Sequence, residues 1–341
     1  MVGEESGGNP KKHQNDETPS DGRDQKRPKL SSGDDETIAL SPQSTKVADC
    51  DYSTYPHKPN PAYPVTLLQG DFCPFANRAL IALLEKEEDP NDPKLFEKVH
   101  VCYNLGPKKD RGTGWLYSLG YKTVPAIIDN TTGGQAMNES MDVVERVEVM
   151  FPNNPLAPKE TEAKEHMKAM IEKHGATIPT IYKLLMEQSV EAQKGLAKTL
   201  LEQVTEMNED LKKSKGPYFC GDEFTIADIA FFPFYERLII LLGHYRGFVI
   251  PKELNHVHTW YKTIQQRPSV KVTTADRDEG SLNTYCFEEK ERAKYLIECY
   301  ESYANGEVDL GKKYGMEASA PGVNGYRKYK KEQASEKAED G

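Results

Sequence analysis

Short apolar runs and helical patterns alternate in the first ordered part of the sequence, which is predicted to begin near Tyr63. Residues 65–68 are apolar and partly β-branched, as in a buried strand. Residues 76–86 are mostly helix formers, and Pro74 suits the first helical turn because its missing N–H costs nothing there. Further strands are predicted at 99–103, 123–129 and 135–138, a turn at 130–134 and a helix at 139–151. The order βαβ and then ββα indicates an α/β domain over residues 61–155.

After residue 158 the apolar positions recur at the spacing of amphipathic helices. Two such stripes are formed by Leu196, Leu200, Val204, Met207 and Leu211, and by Leu254, Val257, Tyr261 and Ile264. Between the stripes, Thr225 and Asp228 have the spacing of a capping box, which starts a helix and argues against a catalytic role for Asp228. We therefore predict an all-helical domain over residues 159–276.

The two ends of the chain lack this periodicity. Residues 1–60 are rich in Gly, Pro, Ser, Asp and Lys and are predicted to be a disordered tail. Two short basic clusters in this tail, at 11–12 and 26–29, fit a nuclear-import address, although a mixed-charge tail is the simpler interpretation. Residues 281–341 are predicted to form a C-terminal extension with one helix, at 287–304, and a polar tail. This helix could fold over a substrate pocket or lie elsewhere.

Charge, hydropathy and cysteine content argue against several classes of protein. Asp and Glu outnumber Lys and Arg by 54 to 44, and the net charge of −10 argues against a nucleic-acid-binding protein. No apolar run approaches the roughly 18 residues of a membrane span, and the first residues show no secretory signal. The 6 cysteines are spaced irregularly and form neither a disulfide framework nor a zinc ligand set. We therefore expect no metal and a reducing, cytoplasmic location, with a nuclear pool left open.

Cys73 is the strongest candidate for chemistry. It follows the first predicted strand and precedes Pro74 at the start of a predicted helix. Free N–H groups and the positive end of the helix dipole favour a thiolate at such a position, and a thiolate is the nucleophile that attacks disulfides. The third residue after it is Ala76 rather than a second cysteine. A mixed disulfide formed at Cys73 would therefore need an external thiol for its resolution.

Two other pairs are less specific when each is considered alone. The Val124-Pro125 pair opens a strand, as either a cis peptide or an ordinary trans proline would. Glu139 and Ser140 begin a helix directly after a strand. There they could hold an ammonium and a carboxylate of a ligand, or they could simply follow a capping residue, Asn138.

In combination, the CPFA motif at Cys73, the Val124-Pro125 pair, the Glu139-Ser140 pair and the following helical domain resemble the glutathione transferase superfamily. A cysteine in the CPFA motif is closest to the cysteine-type classes, namely omega, lambda and dehydroascorbate reductase. The resemblance covers about residues 63–276. It implies a thioredoxin-like α/β domain that binds glutathione, followed by the family's all-α domain, and it implies a homodimer.

The resemblance also implies a role for each matching residue. Cys73 would be the nucleophile and form a mixed disulfide with glutathione. Val124 would pair its backbone with the cysteinyl part of glutathione, Pro125 would be a cis proline, and Glu139 and Ser140 would hold the γ-glutamyl end. Arg111 is a further candidate, favoured over Lys108 and Lys109 for the glycyl carboxylate. The walls of the second-substrate site could include Phe75, Trp115 and Tyr182, although core packing is the more common role for a single aromatic residue.

The predicted function is glutathione-dependent thiol transfer or reduction of a small oxidised, disulfide or electrophilic substrate. Conjugation of glutathione to electrophiles is an alternative, but in the family it uses a Ser or Tyr hydroxyl, and Cys73 stands at the position of that Ser. Tyr63, at the start of the first strand, is poorly placed for this role. A non-catalytic scaffold of the same fold, or a protein like the intracellular chloride channel proteins, is a further alternative. The lack of a long apolar stretch in the N-terminal half argues against the channel.

Overall fold

The computed structural model describes residues 62–70, 72–87, 99–103, 124–132, 135–273, 275–277, 284–286 and 289–307. The predicted disordered tail, the polar C-terminal tail and the loop with Arg111 and Trp115 lie outside these residues. Strands and helices are numbered below in chain order among the described residues.

A four-stranded sheet with the order β2-β1-β3-β4 forms the base of the first half. Its strands are β1 (Val65–Gln69), β2 (Val99–Tyr103), β3 (Ala126–Asp129) and β4 (Gln135–Asn138). Strand β1 runs parallel to β2 and antiparallel to β3, and β3 runs antiparallel to β4. The predicted order of βαβ followed by ββα is confirmed. The third strand is shorter than predicted and begins after Pro125, because proline has no N–H to give to the ladder.

Helix α1 (Pro74–Leu84) is buried on almost all sides because it lies between the sheet and the helical half of the molecule. It packs against α2 (Ser140–Met150) on one side and against α6 (Ile226–Arg237) on another. The buried positions of α1 include the polar side chains of Asn77 and Arg78. Since buried polar groups need partners, these two residues connect α1 to its neighbours.

The second half is helical, as predicted. After α3 (Thr161–His174) its helices are α4 (Thr177–Met186), α5 (Val190–Lys213), α6, α7 (Gly243–Arg246), α8 (Asn255–Gln265) and α9 (Pro268–Thr273), with a π-helical turn at Leu238–Leu242. Every residue of α6 is buried, so α6 is the central helix of this half. The predicted stripe on α5 faces the core through Leu200, Val204, Met207 and Leu211.

The start of α6 has the predicted capping box. The Asp228 carboxylate accepts hydrogen bonds from the backbone N–H of Thr225 at 2.9 Å and of Phe219 at 3.2 Å. The indole Nε1–H of Trp260 donates to the same carboxylate at 2.9 Å. Asp228 is completely buried, and these donors account for its role as a folding residue.

After the helices, the chain forms a short antiparallel pair, β5 (Ala275–Arg277) and β6 (Thr284–Cys286), and then α10 (Glu289–Ala304). Strand β5 begins inside the region that was predicted to be all-helical. Helix α10 confirms the helix predicted at 287–304 and packs against α4 and the π-helical turn. Its buried stripe is formed by Arg292, Leu296, Tyr300 and Ala304, four residues apart. In the described part of the chain, no helix combines the length and the apolar character needed to cross a membrane.

Candidate active site

Cys73 lies where the chain turns from the sheet into α1. Its backbone is extended, and its N–H donates to the carbonyl oxygen of Gly70 at 2.9 Å. Pro74 occupies the first helical turn, as predicted. The Cys73 side chain is half-buried, and its thiol donates to the carbonyl oxygen of Val124, with an Sγ–O distance of 3.8 Å. A thiolate here would face the positive end of the α1 dipole.

The peptide bond between Val124 and Pro125 is cis, as the resemblance implies. Gly70 allows Val124 to approach the thiol closely. A Cβ atom at Gly70 would lie 3.2 Å from Cγ2 of Val124 and 3.7 Å from Cβ of Cys73. The first of these distances is shorter than an ordinary van der Waals contact, so a side chain at Gly70 would require the Val124 side chain to shift by a few tenths of an ångström.

Glu139 and Ser140 form the junction between β4 and α2. Glu139 is exposed and has a φ of 67°, a left-handed backbone conformation that is uncommon for a residue other than glycine. Its side chain makes no capping hydrogen bond. Capping by Asn138 is not observed, because Asn138 ends β4 and Glu139 is the residue that precedes the helix. Strained backbone of this kind is concentrated at functional sites.

Arg78 joins the Glu139-Ser140 junction to the helical half. Its Nη1 donates to the Ser140 hydroxyl oxygen at 3.0 Å, and its Nε donates to the carbonyl oxygen of Ala230 in α6 at 2.9 Å. The guanidinium also lies over the ring of Phe234, 4.5 Å from its centre. Burial lowers the pKa of Arg78 to about 9, against the opposing effects of Tyr182 and Cys73. The position therefore carries a buried positive charge close to both Cys73 and Ser140.

Aromatic side chains cluster where the start of α1 meets the helical half. Phe75 is half-buried and packs edge-to-face on Phe234, with ring centres 4.8 Å apart. Tyr182 contacts the same Phe234 ring, and its hydroxyl lies 3.4 Å from the Tyr300 hydroxyl. Burial, with Tyr300 and Cys73 adding to it, raises the pKa of Tyr182 well above its usual value. The predicted wall residues Phe75 and Tyr182 thus pack on the same ring, and Tyr182 is close enough to Cys73 for the thiol to affect its pKa.

The carbonyl oxygen of Phe72, in the peptide that leads into Cys73, accepts two hydrogen bonds from distant parts of the chain. Arg237 Nη2 donates to it at 3.1 Å, and the Tyr300 hydroxyl donates at 3.0 Å. Arg237 Nη2 also donates to Oδ1 of Asn77 in α1 at 3.3 Å. The entrance to α1 is therefore attached to both α6 and α10.

Sequence patterns alone missed Arg78, Arg237 and Tyr300 as neighbours of the candidate thiol. The signal was present for Arg78, the one charged residue in a helix of mostly apolar residues. Arg111 lies outside the described residues, so its predicted role stays a prediction. Among the residues that the structure describes, no group of three or more His, Cys, Asp or Glu side chains could hold a metal ion.

Comparisons with known proteins show which proteins this chain is similar to. A family model described as "Glutathione S-transferase, C-terminal domain" matches residues 187–263. The chain is 26% identical to glutathione S-transferase DHAR2 of Arabidopsis thaliana over 210 residues, which cover 61% of this chain and 86% of that protein. It is 24% identical to glutathione S-transferase omega-1 of Sus scrofa over 183 residues, 54% of this chain and 70% of that protein.

Residues 187–263 are therefore similar to the C-terminal domain of glutathione S-transferases, and more than half of the chain is similar to DHAR and omega glutathione S-transferases.

Solved structures show the same glutathione transferase fold. Glutathione transferase Omega 3C from Trametes versicolor superposes with a TM-score of 0.53 at 23% identity, covering 69% of this chain and 98% of that one. Dehydroascorbate reductase from Chlamydomonas reinhardtii superposes with a TM-score of 0.51 at 19% identity, covering 71% and 99%. The predicted fold, a thioredoxin-like α/β domain followed by an all-α domain, is therefore confirmed.

Proposed function

We propose that this glutathione transferase is a glutathione-dependent thiol transferase or reductase that uses Cys73 as its single nucleophile. The observation that carries the proposal is the half-buried thiol at the start of α1, 3.8 Å from the Val124 carbonyl oxygen. Relatives named as omega and DHAR glutathione S-transferases support the reaction class. Glutathione is then a co-substrate.

The proposed reaction with a glutathionylated substrate has two thiol–disulfide exchanges. The Cys73 thiolate attacks the glutathionyl sulfur, the substrate S–S bond breaks, and the substrate leaves as a thiolate that takes a proton from water. The thiolate of a second glutathione then attacks the Cys73 mixed disulfide. Oxidised glutathione leaves, and the Cys73 thiolate is regenerated. The substrate sulfur is reduced and glutathione is oxidised, which agrees with Ala76 in place of a resolving cysteine.

Glutathione is proposed to bind along the edge formed by Val124, Pro125, Glu139 and Ser140. The Val124 backbone would pair with its cysteinyl part and bring its sulfur to Cys73. Ser140 and Glu139 would bind the carboxylate and ammonium of the γ-glutamyl end. The Ser140 oxygen accepts from Arg78, so the Ser140 proton points elsewhere and can be donated to a carboxylate.

Two more side chains are proposed to contact the bound molecules. Phe75 would form an apolar wall beside the bound glutathione and the second substrate. Arg111 is proposed to meet the glycyl carboxylate.

The test compares turnover by the wild-type protein, Cys73→Ser and Cys220→Ser. Cys220 is a matched control because it is also half-buried, and burial raises its pKa. The substrates are bis(hydroxyethyl) disulfide and dehydroascorbate, each with glutathione. We expect turnover of at least one substrate by the wild type and by Cys220→Ser, and none above background by Cys73→Ser. Turnover that survives in Cys73→Ser would refute the proposed nucleophile.

Two outcomes would favour the other functions. Rapid conjugation of glutathione to an aryl halide, unaffected by Cys73→Ser, would indicate a conjugating transferase activated by a hydroxyl. Retention on immobilised glutathione without turnover of any of these substrates would indicate a non-catalytic scaffold.

A further inference from the structure

The C-terminal helix α10 is built into the helical half rather than laid over its surface. Arg292 forms a buried, two-pronged ion pair with Glu236 of α6, with Nε–Oε1 and Nη2–Oε2 distances of 3.1 and 3.3 Å. The Tyr245 hydroxyl donates to the carbonyl oxygen of Ile297 at 2.6 Å. At the end of the helix, the Ala304 carbonyl oxygen accepts from side chains of the helical half. The helix is therefore held at its start, middle and end.

Two routes lead from α10 to the Phe72 carbonyl oxygen. Tyr300 reaches it directly through its hydroxyl. Arg292 reaches it indirectly, because Glu236 also pairs with Arg237, and Arg237 donates to the same carbonyl oxygen. These two donors are the hydrogen-bond partners that the described residues supply to this oxygen.

The Phe72 carbonyl belongs to the peptide unit that ends at the nitrogen of Cys73. That nitrogen donates to Gly70, so both polar atoms of the peptide are bonded and its plane is fixed. The direction of the Cys73 side chain follows from this plane, and with it the approach of the thiol to Val124. Loss of the Tyr300 hydroxyl would leave Arg237 as the donor to the Phe72 oxygen, which weakens the restraint on the peptide plane and on the position of the thiol.

We propose that Tyr300 is a positioning residue for Cys73, so that α10, which lies after the region matched by the family model, is part of the catalytic apparatus. This inference rests on the proposed function, because it takes Cys73 as the reacting group. Tyr300 is 3% exposed, and its hydroxyl is bonded to Phe72 and to Tyr182. It therefore acts through the peptide and not on a substrate.

The protonation state of Tyr300 agrees with this role. Burial raises its pKa, with Arg237 opposing and Cys73 adding to the shift. The hydroxyl therefore stays protonated, and remains a donor, even above the usual pKa of a tyrosine.

The experiment compares Tyr300→Phe with Tyr303→Phe. The first change removes the hydroxyl and keeps the ring, which contacts the rings of Phe72 and Tyr182. The second removes a hydroxyl from the half-buried tyrosine one turn further along α10. Three quantities are measured on the full chain: the rate of Cys73 alkylation by iodoacetamide against pH, kcat and KM for glutathione, and Tm.

For Tyr300→Phe we expect the rate of Cys73 alkylation at pH 6 and kcat each to fall about five-fold. This is the change expected when one hydrogen bond with a net contribution of about 1 kcal/mol is lost. The alkylation profile moves to higher pH, while KM for glutathione changes less than about two-fold. Mass spectrometry assigns the modified cysteine. Tyr303→Phe is expected to match the wild type in all of these quantities.

An alkylation profile and kcat for Tyr300→Phe equal to those of Tyr303→Phe would overturn the inference. A lower Tm with an unchanged alkylation profile would also overturn it, because it would give Tyr300 only a role in docking α10. Alkylation needs no glutathione and no turnover. Failure of the proposed function, seen as turnover in Cys73→Ser, is therefore distinguishable from failure of this inference.

Discussion

Asp228, at the start of α6, is the buried carboxylate whose stability contribution should depend most clearly on pH. It accepts hydrogen bonds from Thr225, Phe219 and Trp260, all within the core. Burial nevertheless raises its pKa from 3.8 to about 6, because the hydrogen bonds offset only part of the cost of burying the charge. Replacing Asp228 by Asn removes the titration and keeps one oxygen acceptor.

The sign and size of the effect follow from linkage. Because the folded-state pKa of Asp228 lies above the unfolded value, its stabilising contribution is full below the unfolded pKa and is lost as pH rises through about 6. The change in the pKa of Asp228 from 3.8 to about 6 corresponds to about 3 kcal/mol of folding free energy when it is fully expressed. In Asp228→Asn, the amide nitrogen would face the N–H of Thr225, and one buried donor left without an acceptor costs about 1–3 kcal/mol.

We therefore expect Asp228→Asn to lower the free energy of unfolding by about 1–3 kcal/mol near pH 7 and by about 3–5 kcal/mol near pH 4, where the linkage adds about 2.4 kcal/mol. Urea unfolding followed by tryptophan fluorescence at both pH values measures the difference. Asp222→Asn, at an exposed aspartate just before the same helix, is the control and should show no such change. A wild-type–mutant gap that stays constant, or that grows as pH rises, would refute the reasoning.

Two further substitutions test the proposed glutathione site and the contact between α1 and the helical half of the molecule. Ser140→Ala should raise KM for glutathione about ten-fold and leave kcat within about two-fold, because the hydroxyl is proposed to bind glutathione equally in the ground state and the transition state. Steady-state kinetics measures both quantities, and a fall in kcat with unchanged KM would contradict the proposal. Arg267→Gln breaks a two-pronged ion pair with Glu85, whose Nε–Oε1 distance is 2.8 Å. This substitution should lower the free energy of unfolding by about 1–2 kcal/mol in urea titrations. An unchanged free energy of unfolding would show that the Arg267–Glu85 pair does not stabilise the fold.

Most of the secondary structure could be predicted from the sequence because it follows from local patterns. The stripe from Leu200 to Leu211 is buried along α5, and Pro74 stands in the first turn of α1. The capping box at Thr225 and Asp228 marked the start of α6 correctly. Each of these signals acts within a few residues of the element that it determines.

The position of α10 could not be predicted in the same way. Its helical pattern is visible in the sequence, but its place depends on pairs that are far apart in the chain, such as Arg292 with Glu236 and Tyr300 with Phe72. A charged or polar residue in a helix is ordinarily exposed to solvent. Nothing local marks Arg292 as a buried partner.

The residues of the candidate site also differ in whether a local pattern in the sequence marks them. Cys73 was predictable because a strand, a cysteine, a proline and a helix follow one another directly. Val124 and Ser140 became site candidates only in combination with Cys73. Arg78 and Arg237 were missed because their importance comes from Ala230 and Phe72, which are distant in sequence.

The central claim, that Cys73 is the single nucleophile, is tested most directly by trapping its intermediate. The wild type, Cys73→Ser and Cys220→Ser are mixed with a glutathionylated peptide, quenched with acid and examined by intact-protein and peptide mass spectrometry. We expect one glutathionyl group on the wild type and on Cys220→Ser, located at Cys73 and removed by added glutathione, and none on Cys73→Ser. A glutathionyl group on Cys73→Ser that forms and resolves at the wild-type rate would contradict the account.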